Sequence, residues 1–331
     1  MNQQAADSAA PTNAAGRWLR KRERGSIMLL RIMIFLALRL GRPMARCLLY
    51  LIAGYFFAFA PAERRASREY LRRALGREPR ARDRFRHVYT FATTILDRLY
   101  LVRERYEVLE VTIEGEQLMR DLLARGQGAF LLGAHLGSFE MMGAMGRRQP
   151  GLRVAMAMYE HNASNVATLF SAGRAVNAPE IIPLGHLAAM LRIRDCLNEG
   201  RFVGMLADRT FSDAPVQSVN FLGRAANFPL GPMRAAAALR QPVVFMSGLH
   251  RGGNRYHVVF RLLADFSQPC AAGRAAAVHG AVERYVALLE QFCRSDPFNW
   301  FNFYDFWHGA DAVTRPPVGA ARKQTADGAG A

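Results

Sequence analysis

Gly128-Ala-Phe-Leu-Leu-Gly-Ala-His135-Leu-Gly-Ser-Phe-Glu140 is the stretch on which the fold and the chemistry turn. The apolar run 129–133 predicts a buried strand that ends at a glycine. His135 stands where that strand runs out. Gly137 lets the chain turn, and Ser138 is a suitable N-cap for the helix predicted over 139–147. Glu140 falls in the first turn of that helix. A histidine at a strand end with an acid nearby is a candidate general base with its orienting carboxylate, because the carboxylate selects the imidazole tautomer and offsets imidazolium charge. The helix N-terminus adds amide donors where negative charge would develop.

Outward from this stretch, short apolar runs alternate with amphipathic segments. Strands are predicted at 108–113, 153–158, 202–206, 216–221, 242–248 and 256–262. Helices are predicted at 116–125, 163–176, 187–198, 232–240 and 274–294. Such alternation predicts an α/β fold with a mixed central sheet flanked by helices. Residues 64–105 read as Arg-rich helices, with Tyr70, Leu71, Phe85, Val88, Phe91, Ile95 and Leu99 at roughly helical spacing.

The N-terminal region has its own character. Residues 1–110 carry 22 Lys+Arg and 10 Asp+Glu, which is +12 of the chain's net +17. A basic run, Arg17-Trp-Leu-Arg-Lys-Arg22, precedes two apolar stretches, 27–38 and the charge-free 47–62. A spanning helix wants about 20 apolar residues, and both stretches are shorter. Arginines flank the second on both sides. The combination predicts a hydrophobic and basic helical anchor, with arginines on anionic headgroups. The expected organisation is a disordered start over 1–16, a membrane-associated region over 17–105, an α/β domain over 106–308 and a flexible tail over 309–331.

Several classes are excluded by what is missing. With 51% hydrophobic residues the bulk of the chain is not disordered. There is no Gly-x-Ser-x-Gly elbow, no His-Glu-x-x-His, no dinucleotide fingerprint and no phosphate-binding loop. Cys47, Cys196, Cys270 and Cys293 are far apart, with no Cys-x-x-Cys, so neither a disulfide framework nor a structural zinc site is expected. No metal site is predicted. The positive charge clusters beside apolar stretches, which favours a membrane surface over nucleic acid.

His135 and Glu140, in their strand–turn–helix setting, resemble the His-x4-Asp/Glu motif of the bacterial lipid A late acyltransferases, within the wider glycerolipid-type acyltransferases. The resemblance covers roughly residues 26–308. It implies a membrane-associated enzyme that moves a fatty acyl chain from acyl carrier protein, or acyl-CoA, to a hydroxyl of a lipid or glycolipid acceptor. The resemblance implies no cofactor, the thioester being a co-substrate. His135 would then be the general base and Glu140 its orienting partner. Asp208, in Val203-Gly-Met-Leu-Ala-Asp-Arg209, looks like the family's acid at the end of a later strand. By the same resemblance Asp208, Arg209, Tyr159 and Asn162 are substrate-binding candidates, the last two in Met158-Tyr-Glu-His-Asn162. Acyl carrier protein, an anionic membrane surface and a lipid acceptor are the expected partners. The expected location is the cytoplasmic face of the inner membrane. The rival reading is a non-catalytic membrane-peripheral lipid-binding or scaffold protein.

Two departures from the family pattern bear on the acceptor. Where the family ends in a basic segment, this chain reads Asn299-Trp-Phe-Asn-Phe-Tyr-Asp-Phe-Trp307. Where an arginine often precedes the third strand, Glu180 stands before Ile181. Both changes remove positive charge, and they predict a weakly anionic or neutral acceptor. Asn227-Phe-Pro-Leu-Gly-Pro232 resembles the Pro-Gly turn that opens the next helix.

Overall fold

The computed structural model describes residue 39 and residues 41–141, 151–159, 180–210, 214–269 and 273–307. The predicted termini, the first apolar stretch, the helix over 163–176 and Asn162 lie outside the described residues, as does the helix over 139–147 beyond Met141. The chain groups into two compact units, one ending at Ile52 and one running from Ala53.

Among the described residues no single helix is long and apolar enough to cross a membrane. Helix α1, Gly41–Phe59, and helix α2, Pro61–Leu75, pass the length and hydropathy test only together, and they are bent by 96°. Pro61 at the first helical position starts α2, and Gly76, in the left-handed region at φ 65°, ends it. The helical stretch expected from residue 64 is therefore broken at Gly76 to Arg80, and α3 resumes over Ala81–Val102.

The sheet has seven strands: β1 Glu110–Glu114, β2 Ala129–Gly133, β3 Val154–Tyr159, β4 Glu180–Leu184, β5 Phe202–Leu206, β8 Pro242–His250 and β9 Arg255–Asp265. Their order is β1-β9-β8-β2-β5-β3-β4. All neighbours are parallel except β8 and β9, so the sheet is mixed as expected. Strands β6 Val216–Phe221 and β7 Arg224–Pro229 form a separate antiparallel hairpin. Its two-residue turn has positive φ at Leu222 and Gly223, which matches the twist of the strands. The expected turn at 227–232 is thus split: Asn227 to Pro229 finish β7, and helix α6 opens at Gly231. The remaining helices are α4 Glu116–Ala124, α5 Leu187–Asn198, α6 Gly231–Ala238 and α7 Arg274–Ser295.

Strand side chains alternate between two apolar layers. Phe130, Leu132, Val203, Met205, Val243 and Phe245 pack on one side, against Val278, Val282, Tyr285, Leu289 and Phe292 of α7. Ala129, Leu131, Phe202, Val244 and Met246 pack on the other, with Met119 and Leu122 of α4. Burial on both faces explains why β2, β5 and β8 read as continuous apolar runs. Tyr70 and Leu71 of α2 join the first layer. Helix α3 is tied in by Tyr256 Oη donating to Asp97, at 2.8 Å, and by His87 against the carbonyl of Trp300, also at 2.8 Å.

Candidate active site

Parallel pairing places the two central groups. β2 and β5 run in register, with Gly133 opposite Leu206. The Ala207 amide donates to the Gly133 carbonyl at 3.0 Å, extending the pairing past the strand ends. His135 and Asp208 each stand two residues beyond those ends and so come side by side. Asp208 Oδ1 is 2.9 Å from His135 Nδ1, and Oδ2 accepts from the His135 backbone amide at 3.0 Å. Oδ2 also accepts from Trp300 Nε1 at 3.0 Å. A carboxylate accepts only, so Nδ1 carries the proton and Nε2 is the basic nitrogen.

Asp208 is 1% exposed. Burial alone would raise its pKa, but His135, through charge, side chain and amide, and then the charge of Arg209 hold it down to about 2. The site therefore keeps a buried carboxylate beside an imidazole whose side chain is 28% exposed.

The turn after His135 is pinned from both sides. The Phe301 amide donates to the His135 carbonyl at 2.7 Å, and the Gly137 amide donates to the Asn299 carbonyl at 2.8 Å. The Ser138 amide donates to the Gly248 carbonyl at 2.8 Å. Asn299 is itself clamped to β8, accepting from the His250 amide at 2.7 Å. Gly137 sits at φ 70°, and a Cβ there would lie 2.1 Å from the Gly248 carbonyl oxygen. Only glycine fits so close a backbone approach at a left-handed φ.

Glu140 does not occupy the place its spacing suggested. Its Oε1 is 2.9 Å from Arg98 Nε of α3, and its Oε2 accepts from Ser138 Oγ at 3.1 Å. The structure therefore puts Asp208, and not Glu140, on His135 Nδ1. The chain turns left-handed at Gly137 and aims the acid toward α3.

His135, Glu140, Arg98, Arg209 and Tyr159 all line one groove of about 1000 Å³ at the C-terminal ends of the parallel strands. That is the usual place for a ligand in an open parallel sheet. Most of the wall is apolar, including Ile95, Phe139, Met156, Met158, Met190 and Met205. Arg209 donates to the Phe301 carbonyl at 3.4 Å and stacks over Tyr304, with its guanidinium carbon 5.1 Å from the ring centre. Among the described residues no three His, Cys, Asp or Glu side chains gather as metal ligands.

The aromatic ending divides between core and groove. Trp300 and Trp307 are fully buried, whereas Phe301, Phe303 and Tyr304 line the groove. Glu180 belongs elsewhere. It begins β4, about 13 Å along the strand from Leu184 at the groove. There it pairs with Arg192 at 2.5 Å and with Arg201 at 2.7 Å. Its substitution for a basic residue therefore says nothing about the groove.

Trp300 and Arg98 escape a reading based on spacing. Trp300 lies 92 residues from Asp208 in the chain. The one local signal for Arg98 is a charge next to Asp97 in an otherwise apolar helix end.

A family model described as bacterial lipid A biosynthesis acyltransferase matches residues 17–308. No curated protein matches the chain.

Proposed function

The chain belongs to the bacterial lipid A biosynthesis acyltransferase family and is an acyltransferase, and on that premise we propose that His135 is its general base. The observation that carries this reading is the His135–Asp208 pair opening onto an apolar groove. His135 Nε2 takes the proton of an acceptor hydroxyl as its oxygen attacks the thioester carbonyl of the donor. The tetrahedral intermediate collapses, the C–S bond breaks, and the imidazolium returns the proton to the departing thiolate. Asp208 holds the productive tautomer and offsets the imidazolium charge.

The other groove residues receive supporting roles. Glu140, tied to Arg98, fixes the α3 wall of the groove against the turn that carries His135. Arg209, preorganised by Tyr304 and the Phe301 carbonyl, holds an anionic group of a substrate. Tyr159 borders the acceptor side, and Asn162 belongs to the same proposed acceptor contact. The donor is acyl carrier protein, with acyl-CoA as the alternative thioester. The acceptor is a weakly anionic or neutral lipid, a reading supported by the aromatic ending around the groove. The N-terminal apolar and basic residues hold the enzyme to anionic lipid on the cytoplasmic face of the inner membrane.

Lipid mass spectrometry of a deletion strain against its parent tests the reaction. The expected result is a lipid lacking one acyl chain, restored by the wild-type gene but not by His135→Ala. Restoration by His135→Ala would overturn the assignment.

A further inference from the structure

The groove has a lip of exposed leucines that the chemistry above does not use. Leu187 is 80% exposed, Leu191 48% and Leu206 38%. Leu187 and Leu206 line the groove mouth. Leu191 lies one turn beyond Leu187 on the same face of α5. The rest of α5 is ordinary: Ala189, Ile193, Cys196 and Leu197 face the core. Between Glu180 and Arg192 there is no charged side chain, and Pro183, Gly185, His186 and Ala188 are exposed with the leucines. From Arg192 onward the exposed face of α5 becomes polar, with the charged Arg192 and Arg194 and the neutral amide of Asn198. The apolar surface is thus confined to the end of α5 that borders the groove.

We infer that the α5 lip, Leu187 and Leu191 with Leu206, is a bilayer-contact surface that seats the groove mouth on the membrane from which the acceptor is drawn. The inference rests on the acyltransferase reading in one respect: the acceptor is a lipid, so its path into the groove begins in a bilayer. A bilayer fits this surface better than a protein partner does. An acidic carrier protein would select cations, and among the described residues Ile181 to Leu191 and Leu206 supply none, Arg192 being paired with Glu180. Exposed leucines beside a lipid-sized apolar groove gain by burial in the acyl boundary. This contact is separate from the N-terminal anchor and is made by the α/β unit itself.

The test places an environment-sensitive fluorophore on single cysteines. Leu187→Cys and Leu191→Cys are introduced in a full-length Cys47→Ser, Cys270→Ser background, since Cys196 and Cys293 are buried. Arg120→Cys, on the exposed side of α4, is the reference position. Each protein is bound to vesicles of phosphatidylethanolamine and phosphatidylglycerol, with and without lipids spin-labelled near the headgroup. The expected result is a blue-shifted emission quenched by spin-labelled lipid at Leu187 and Leu191, and neither effect at Arg120. Equal quenching at all three positions, or none at the leucines, overturns the inference. So does a shift produced by acyl carrier protein alone, or one that grows with protein concentration without lipid, which would mark a carrier or a second copy as the occupant. Leu187→Asp with Leu191→Asp gives a second reading. In the full-length protein it should lower the fraction bound at limiting vesicle concentration in high salt, which weakens the arginine contacts of the N-terminal region; unchanged binding counts against the lip. None of these measurements requires acyl transfer, so failure here is distinguishable from failure of the proposed reaction.

Discussion

His135 and Asp208 stand at equivalent positions beyond two neighbouring parallel strands, joined at 2.9 Å between Nδ1 and Oδ1. The pair depends on the register of β2 and β5, in which Gly133 faces Leu206. Asp208→Asn preserves size but can donate an N–H toward Nδ1, which moves the imidazole proton to Nε2 and so blocks the nitrogen proposed to act as base. The transfer rate should fall by about 10²–10⁴-fold, as should that of His135→Ala. The double variant should be little worse than either single one. Turnover of purified enzyme with an acyl-thioester donor measures this, and two fully additive losses would show that the residues do not act as a unit.

Glu140 should behave differently from Asp208. With Arg98 as its partner at 2.9 Å, it braces the groove wall and not the imidazole. Glu140→Gln should leave kcat far less changed than Asp208→Asn does. A double-mutant cycle of Glu140→Ala with Arg98→Ala should return a coupling of about 0.5–3 kcal/mol in unfolding free energy. A kcat loss for Glu140→Gln equal to that of Asp208→Asn would return Glu140 to the role its spacing suggested.

Trp300 is both core and support. Trp300→Phe keeps a ring in place but leaves Asp208 without one donor. Losing a hydrogen bond to a buried charge should cost about 1.5–3 kcal/mol, beyond any packing defect. Chemical denaturation measures it, and activity should fall along with stability because Asp208 loses one of its fixed contacts.

His87 predicts the acid limb of stability. Its Nε2 donates to the Trp300 carbonyl at 2.8 Å, so Nδ1 accepts from Ser67 Oγ at 2.9 Å. Both ring nitrogens are satisfied in the neutral form. Burial pushes its pKa down to about 4, against the raising effect of the Trp300 carbonyl. The unfolded imidazole titrates near 6.5. Protonation therefore favours the unfolded chain as pH falls from 6.5 toward 4, and stability present above 6.5 is lost across that window. The loss from this group should be about 2 kcal/mol at pH 5. Thermal melts at several pH values should show a shallower acid limb in His87→Gln, and an unchanged limb would mean other groups dominate.

Gly204 seats Phe139. A Cβ at Gly204 would lie 2.7 Å from Phe139 Cζ, and both residues line the groove. The ring end is the part free to yield, so Gly204→Ala should displace Phe139 and narrow the groove. Activity with long acyl donors should fall more than activity with short ones. A chain-length series with one acceptor measures the shift, and a uniform loss would indicate a general packing defect.

Much of the architecture was legible locally. The apolar runs at β2, β5 and β8 mark strands buried on both faces, and α5 and α7 announce themselves by period and length. His135 is visible as a strand-end histidine before a glycine turn. The location of Asp208 after a later strand followed from family resemblance. Those features are short-range, because side-chain alternation, helical spacing and turn residues act over a few positions. The partner of His135 is another matter. Asp208 is 73 residues away, and it arrives because β5 inserts between β2 and β3, a strand order that no local pattern encodes. Proximity in sequence favoured Glu140, but the left-handed turn at Gly137 sends that side chain to Arg98. Trp300 reaches Asp208 only through the packing of the last aromatic segment on the sheet. The sequence by itself determined which segments are buried and where a base could stand. Tertiary structure decided which acid sits on His135, because a hydrogen bond of 2.9 Å is set by strand order and register and not by spacing along the chain.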